Sequence, residues 1–122
     1  MPQVLVADDS PTIRLLVRLT LTPEGYSVLE AADGDEAWTM LREHHPAAAI
    51  LDVTMPGRDG PELTRMIRAE PEFDRMAVIL LSGHGDEAHM REALEAGADQ
   101  YLTKPFLASE FLGELKQALA RR

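Results

Sequence analysis

The sequence predicts one α/β domain, a doubly wound parallel sheet of five strands with five helices packed on its two faces. Three observations point there. Short apolar runs alternate strictly with longer segments whose apolar residues recur every three or four positions, and such alternation calls for parallel strands joined by helical crossovers. The runs Val4-Leu5-Val6-Ala7 and Ala77-Val78-Ile79-Leu80-Leu81 are near-continuous rather than alternating, as in strands buried on both faces. The length, 122 residues, suits one hydrophobic core and leaves no room for a second.

The first strand, Val4 to Ala7, is too short for a core helix and stops at Asp8-Asp9. Ser10-Pro11 reads as an N-cap followed by proline at the first helical position. Ile13, Leu16, Val17 and Leu21 then line a buried helical side, and Glu24-Gly25 ends it. Residues 26–31 make a second, less apolar strand. Asp33-Gly34 opens a helix with Ala37, Met40 and Leu41 inward; it stops before Pro46, because a residue preceding proline disfavours α geometry. Residues 47–51 form the third strand, ending at Asp52, and the loop 54–60 leads to a helix carrying Leu63, Met66 and Ile67 on one side. The fourth strand, 77–81, runs into the flexible Ser82-Gly83-His84-Gly85. Asp86 caps a helix with Met90, Ala93 and Leu94 inward, and Gly97 ends it in the left-handed position. Asp99 to Leu102 is the fifth strand. After Lys104-Pro105 a last helix begins near Ser109 and buries Phe111, Leu112, Leu115 and Leu119. Right-handed crossovers favour the flavodoxin-like strand order 2-1-3-4-5. Residues 1–122 read as one unit.

Charge narrows the function. Twelve basic and 21 acidic residues give a net charge of −9, and an acidic surface repels phosphate backbones and anionic lipid. Direct nucleic-acid or membrane binding is therefore not expected, whereas a metal ion or a basic protein partner is suited. The absence of cysteine excludes a disulfide framework, a thiolate metal site and a cysteine nucleophile, and fits a cytoplasmic protein. No apolar run approaches the roughly 20 residues of a membrane span, and Met1-Pro2-Gln3 lacks the start of a signal peptide.

In a doubly wound sheet, ligands bind outside the carboxyl ends of the strands, where the strand order switches. Here that is between the first and third strands, which end in Asp8-Asp9 and Asp52. The fourth ends in Ser82 and the fifth leads into Lys104, so four strands deliver three carboxylates, a hydroxyl and an ammonium to one rim. Three clustered carboxylates repel one another unless a cation neutralises them. With oxygen ligands only, the cation is a hard one, and Mg2+ fits best. A partly exposed carboxylate beside it can act as a nucleophile towards phosphorus, with Lys104 and Ser82 meeting the phosphoryl oxygens.

These residues resemble the response-regulator receiver domain of two-component signalling, of the chemotaxis-type single-domain kind, over essentially the whole chain. The resemblance rests on Asp8-Asp9-Ser10-Pro11, Asp52 followed by Met55-Pro56 and Asp59-Gly60, Ser82-Gly83, and Ala96-Gly97-Ala98-Asp99 leading into Lys104-Pro105-Phe106. It implies Asp52 as phosphoacceptor, supplied by a histidine kinase or phosphotransfer protein. It implies Asp8, Asp9 and Asp52 as magnesium ligands together with the Thr54 backbone carbonyl, Ser82 and Tyr101 as switch residues, and a cis Lys104-Pro105 peptide. Thr54 and His84 stand at positions that tune phosphoryl lifetime, and Arg58 stands where the family more often has an apolar residue. The expected protein is a phosphorylation-dependent switch without its own output domain, a monomer or weak phosphorylation-dependent dimer. It would catalyse only its own phosphorylation and dephosphorylation, and would signal to a downstream protein through its fourth helix, fifth strand and fifth helix.

Other readings fit less well. A small phosphohydrolase with an aspartyl-phosphate intermediate resembles the chain in Asp, Ser and Lys, but such enzymes place a second aspartate two residues after the first, and Asp52-Val53-Thr54 lacks it. A flavin carrier, suggested by fold analogy alone, would meet repulsion between Asp8-Asp9 and the flavin phosphate. A degenerate scaffold is disfavoured because no site residue is missing. His44 and His45 read as a solvated helix end, His89 as a solvated helix face, and His84 as an exposed loop residue with no ligand role. Trp38 and the methionines read as packing.

Overall fold

The apolar runs become a single parallel sheet of β1 (Gln3–Ala7), β2 (Ser27–Ala31), β3 (Ala48–Asp52), β4 (Ala77–Ser82) and β5 (Gln100–Thr103), in the order β2-β1-β3-β4-β5. The computed structural model describes residues 2–122. Helices α1 (Pro11–Leu21), α2 (Gly34–His44), α3 (Gly60–Ala69), α4 (Glu87–Ala96) and α5 (Ala108–Ala120) connect and follow the strands, with short 3-10 turns at Thr22–Glu24 and Pro71–Phe73.

Because successive strand residues face opposite sides, the three central strands feed two cores. Leu5, Ala7, Ala49, Leu51, Val78 and Leu80 pack against Ala37 and Leu41 of α2, Leu63 and Ile67 of α3, and Ala93 of α4. Val4, Val6, Ile50, Ile79 and Leu81 pack against Val17 and Leu21 of α1 and Phe111, Leu115 and Ala118 of α5. Each large side chain buried this way contributes about 1.5–3 kcal/mol.

Helix starts are fixed by side-chain caps. Ser10 Oγ accepts the Ile13 N–H at 3.3 Å, while Asp33, Asp59 and Asp86 each accept the N–H three residues on at 2.8 Å. A cap of this type is worth about 1 kcal/mol. Gly97, at φ 110°, stops α4; a Cβ there would sit 2.6 Å from Arg68 Cγ, so glycine is required both by conformation and by space.

Two details depart from the sequence reading. Met90 and Leu94 do not face inward: they are 41 % and 49 % exposed, and the buried side of α4 is Ala93 and Ala96. The helical periodicity fits either side of α4; the side that packs is the one carrying alanine, and the larger side chains are left to solvent. Leu112 and Leu119 are only half-buried on α5.

Candidate functional site

Parallel pairing sets the strand ends level with one another. Ala7 lies opposite Leu51, Asp52 opposite Leu81, and Ser82 opposite Thr103. The residue after β1, the last residues of β3 and β4, and the residue after β5 therefore share one rim, and these are Asp8, Asp52, Ser82 and Lys104. Carboxylate oxygens of Asp8, Asp9 and Asp52 lie within 4.8 Å of one another. Asp8 and Asp52 are buried, whereas Asp9 is exposed. Lys104 Nζ reaches between the buried pair, 2.9 Å from Asp8 Oδ2 and 3.3 Å from Asp52 Oδ1.

The carboxylates are positioned by local backbone. Asp8 Oδ1 accepts the Ser10 N–H at 2.9 Å, and Arg14 donates to the Asp8 carbonyl at 2.7 Å while its Nε contacts Glu30 at 3.2 Å. Asp52 Oδ1 accepts the Thr54 N–H at 3.3 Å. Gly60 lets the start of α3 close on the end of β3, since a Cβ there would meet the Asp52 carbonyl oxygen at 2.6 Å. Ser82 is buried, and its Oγ accepts the His84 N–H at 3.0 Å. Tyr101 Oη donates to the His84 carbonyl. The two switch positions named from the resemblance thus grip one residue of the β4–α4 loop. The Lys104-Pro105 peptide is cis.

Charge at this rim is unbalanced, with three carboxylates facing one ammonium. Burial, and next the neighbouring Asp8 charge, hold the Asp52 carboxyl above its ordinary range; Lys104 and the Thr54 N–H pull the other way without winning. For Lys104, burial pushes the pKa down, but the Asp8 and Asp52 carboxylates outweigh it and the net shift is upward. Asp8 Oδ2 is buried, and its partner is the Lys104 ammonium that Asp52 also contacts. An all-oxygen donor set in which two buried carboxylates share a single ammonium is what a hard divalent cation completes.

The family model described as response regulator receiver domain matches residues 4–116. The chain belongs to that family. Receiver domains serve phosphorylation-dependent signalling in two-component systems, bind magnesium at an acidic pocket, and act with histidine kinases or phosphotransfer partners. Among solved structures, this receiver domain is similar to the chemotaxis protein CheY4 of Vibrio cholerae, with a TM-score of 0.91 and 33% identity over 98% of this chain and 99% of that one. It is also similar to a putative response regulator from Chloroflexus aurantiacus, with a TM-score of 0.93 and 36% identity over 98% of each chain. Among curated proteins it is 37% identical to the phosphate regulon transcriptional regulatory protein PhoB of Rhizobium meliloti, covering 99% of this chain and 53% of that protein. The receiver domain thus spans about half the length of the curated relatives it matches.

All the acids and the lysine singled out from sequence meet at one place. Arg14 was missed, since nothing in sequence signals that it ties the end of β1 to Glu30. Asp99, read as the start of the fifth strand and part of a motif, is a buried carboxylate on which Arg68, Arg121 and Arg122 converge. Among the described residues no helix is long and apolar enough to cross a membrane.

Proposed function

We propose that Asp52 accepts a phosphoryl group from a histidine kinase or phosphotransfer protein in a magnesium-dependent reaction. The observation that carries the reading is the convergence of Asp8, Asp9 and Asp52 on one rim with Lys104 between the buried pair. In the transfer, an Asp52 carboxylate oxygen forms the new bond to phosphorus as the donor's phosphorus–nitrogen bond breaks, leaving an acyl phosphate on this chain. Asp8, Asp9, Asp52 and the Thr54 backbone carbonyl would hold Mg2+, which when bound neutralises charge on the entering group. Lys104 exchanges a carboxylate contact for a phosphoryl oxygen, and Ser82 Oγ turns from the His84 N–H to another.

That exchange is the origin of the switch. Releasing the His84 N–H frees the β4–α4 loop, and Tyr101, bonded to the His84 carbonyl, carries the change to β5. The read-out surface of α4, β5 and α5 offers exposed Met90 and Leu94, a groove of about 380 Å³ along α4, and a second hollow of about 260 Å³ running from Met90 to Tyr101 and Arg121. The chain acts in the cytoplasm as a monomer or weak phosphorylation-dependent dimer, catalyses only its own phosphorylation and dephosphorylation, and signals to a downstream protein without contacting nucleic acid.

Acetyl phosphate with magnesium should add one phosphoryl group, seen by intact-mass spectrometry, and Asp52→Asn should abolish it. Undiminished, hydroxylamine-labile incorporation in Asp52→Asn would overturn the assignment, and release of many equivalents of phosphate from simple esters would identify a phosphohydrolase instead.

A further inference from the structure

The chain has four histidines, and the fold sorts them into two pairs. His44 and His45 end α2, whereas His84 and His89 meet at the start of α4. Asp86 draws the second pair together: its Oδ1 accepts the His89 N–H at 2.8 Å and lies 2.7 Å from His89 Nδ1. The His84 ring stacks on that of His89, with centroids 4.5 Å apart and planes within 10°. One ligand atom from each of His84, Asp86 and His89 lies within 4.8 Å of the other two. Sequence alone left these histidines as unrelated solvated residues, because only the turn at Gly85 and the Asp86 cap bring them into register.

We propose that His84, Asp86 and His89 form a binding site for a d-block divalent cation such as Zn2+, separate from the magnesium pocket. Two imidazoles and one carboxylate, with water completing the shell, are a donor set for borderline-soft cations. The rim at Asp8, Asp9 and Asp52 offers hard oxygens only and selects differently. The ring nitrogen that faces Asp86 is His89 Nδ1, 2.7 Å from Oδ1, so a cation shared by the two residues takes the Nδ1 lone pair in place of that contact. Stacked rings cannot both aim a lone pair at one point, so binding requires His84 to turn about its side-chain bonds. The donor atoms then close to about 3.3 Å, the spacing of tetrahedral ligands at about 2.0–2.1 Å from zinc. His84 is exposed, so this rotation disturbs no core packing. A cation held here would clip the β4–α4 loop to the first turn of α4, on the residue that Ser82 and Tyr101 already grip.

The test is a zinc titration of the full chain by calorimetry, in enough Mg2+ to saturate the acidic pocket. One Zn2+ should bind per chain, and Co2+ in its place should give the visible bands of a nitrogen-ligated ion. Affinity should fall by at least about tenfold in His84→Ala and in His89→Gln, whose thermal melts report whether the fold is intact, and should stay at the wild-type value in the His44→Ala/His45→Ala double variant. Equal zinc affinity in wild type and His89→Gln, loss confined to the His44/His45 variant, or full displacement of zinc by Mg2+ would each overturn the site.

Discussion

Asp8 and Asp99 are both buried aspartates flanking strands of the same sheet, and they live in opposite circumstances. Asp99 Oδ2 accepts the Val78 N–H and an Arg68 N–H, each at 2.9 Å. Its Oδ1 meets Arg122 at 2.8 and 3.0 Å, and Arg121 donates to its carbonyl at 2.8 Å. Arg68 in turn donates to the carbonyls of Gly97 and Met76 at 2.9 and 2.8 Å. Asp8, by contrast, has one backbone N–H on Oδ1, and on Oδ2 a lysine that it shares with Asp52. The same residue type is a lock where several backbone and arginine donors serve one carboxylate, and a socket where two buried carboxylates share one lysine. Burial alone does not separate structure from chemistry; the number of donors per buried carboxylate does.

The comparison can be broken from either side. The largest effect is expected at the lock. Asp99→Ala leaves a mostly buried Arg68 without its carboxylate and the Val78 N–H without an acceptor, and should cost about 2–4 kcal/mol, read as a lower urea midpoint at constant slope. A midpoint at the wild-type value would mean the cluster does not hold α3, β4 and α5 together. At the socket, Lys104→Ala removes the ammonium that Asp8 and Asp52 share. It should leave the domain folded but about 1–2 kcal/mol less stable, with magnesium restoring part of the loss. The amide shifts of α4 should then stop responding to phosphorylation; a normal response would remove Lys104 from the switch. Asp9→Asn is the smallest change and has the opposite sign. Relieving repulsion at an exposed edge of the site should stabilise the metal-free domain by roughly 0.5 kcal/mol, seen as a slightly higher melting temperature.

The two regions also differ in how far sequence revealed them. The socket was legible because parallel strands end level, so acids after Ala7 and Leu51 and a lysine after Thr103 converge once the strand order is known. Local punctuation, such as Ser10-Pro11 and Gly97, made the element order legible for the same reason: the physics acts within a few residues. The lock was not legible. Arg68 and Asp99 are 31 residues apart, and nothing near either one announces the other. The orientation of α4 escaped because helical spacing relates Met90 to Leu94 as well as Ala93 to Ala96, and hydrophobicity alone favours the face that the fold leaves exposed. His84, His89 and Asp86 escaped because ring stacking depends on a loop turn that periodicity does not describe.

The central claim, that Asp8, Asp9 and Asp52 are held together as an incomplete cation site, is tested most directly by thermal melts in magnesium and in sodium at matched ionic strength. Magnesium binds the folded site and not the unfolded chain, so at ten times its dissociation constant it should stabilise by about 1.4 kcal/mol. For a domain of this size that raises the melting temperature by roughly 3–6 °C. Sodium should not reproduce the rise, and Asp9→Asn should abolish it. A magnesium-specific rise that persists undiminished in Asp9→Asn, or an equal rise in sodium, would contradict the account.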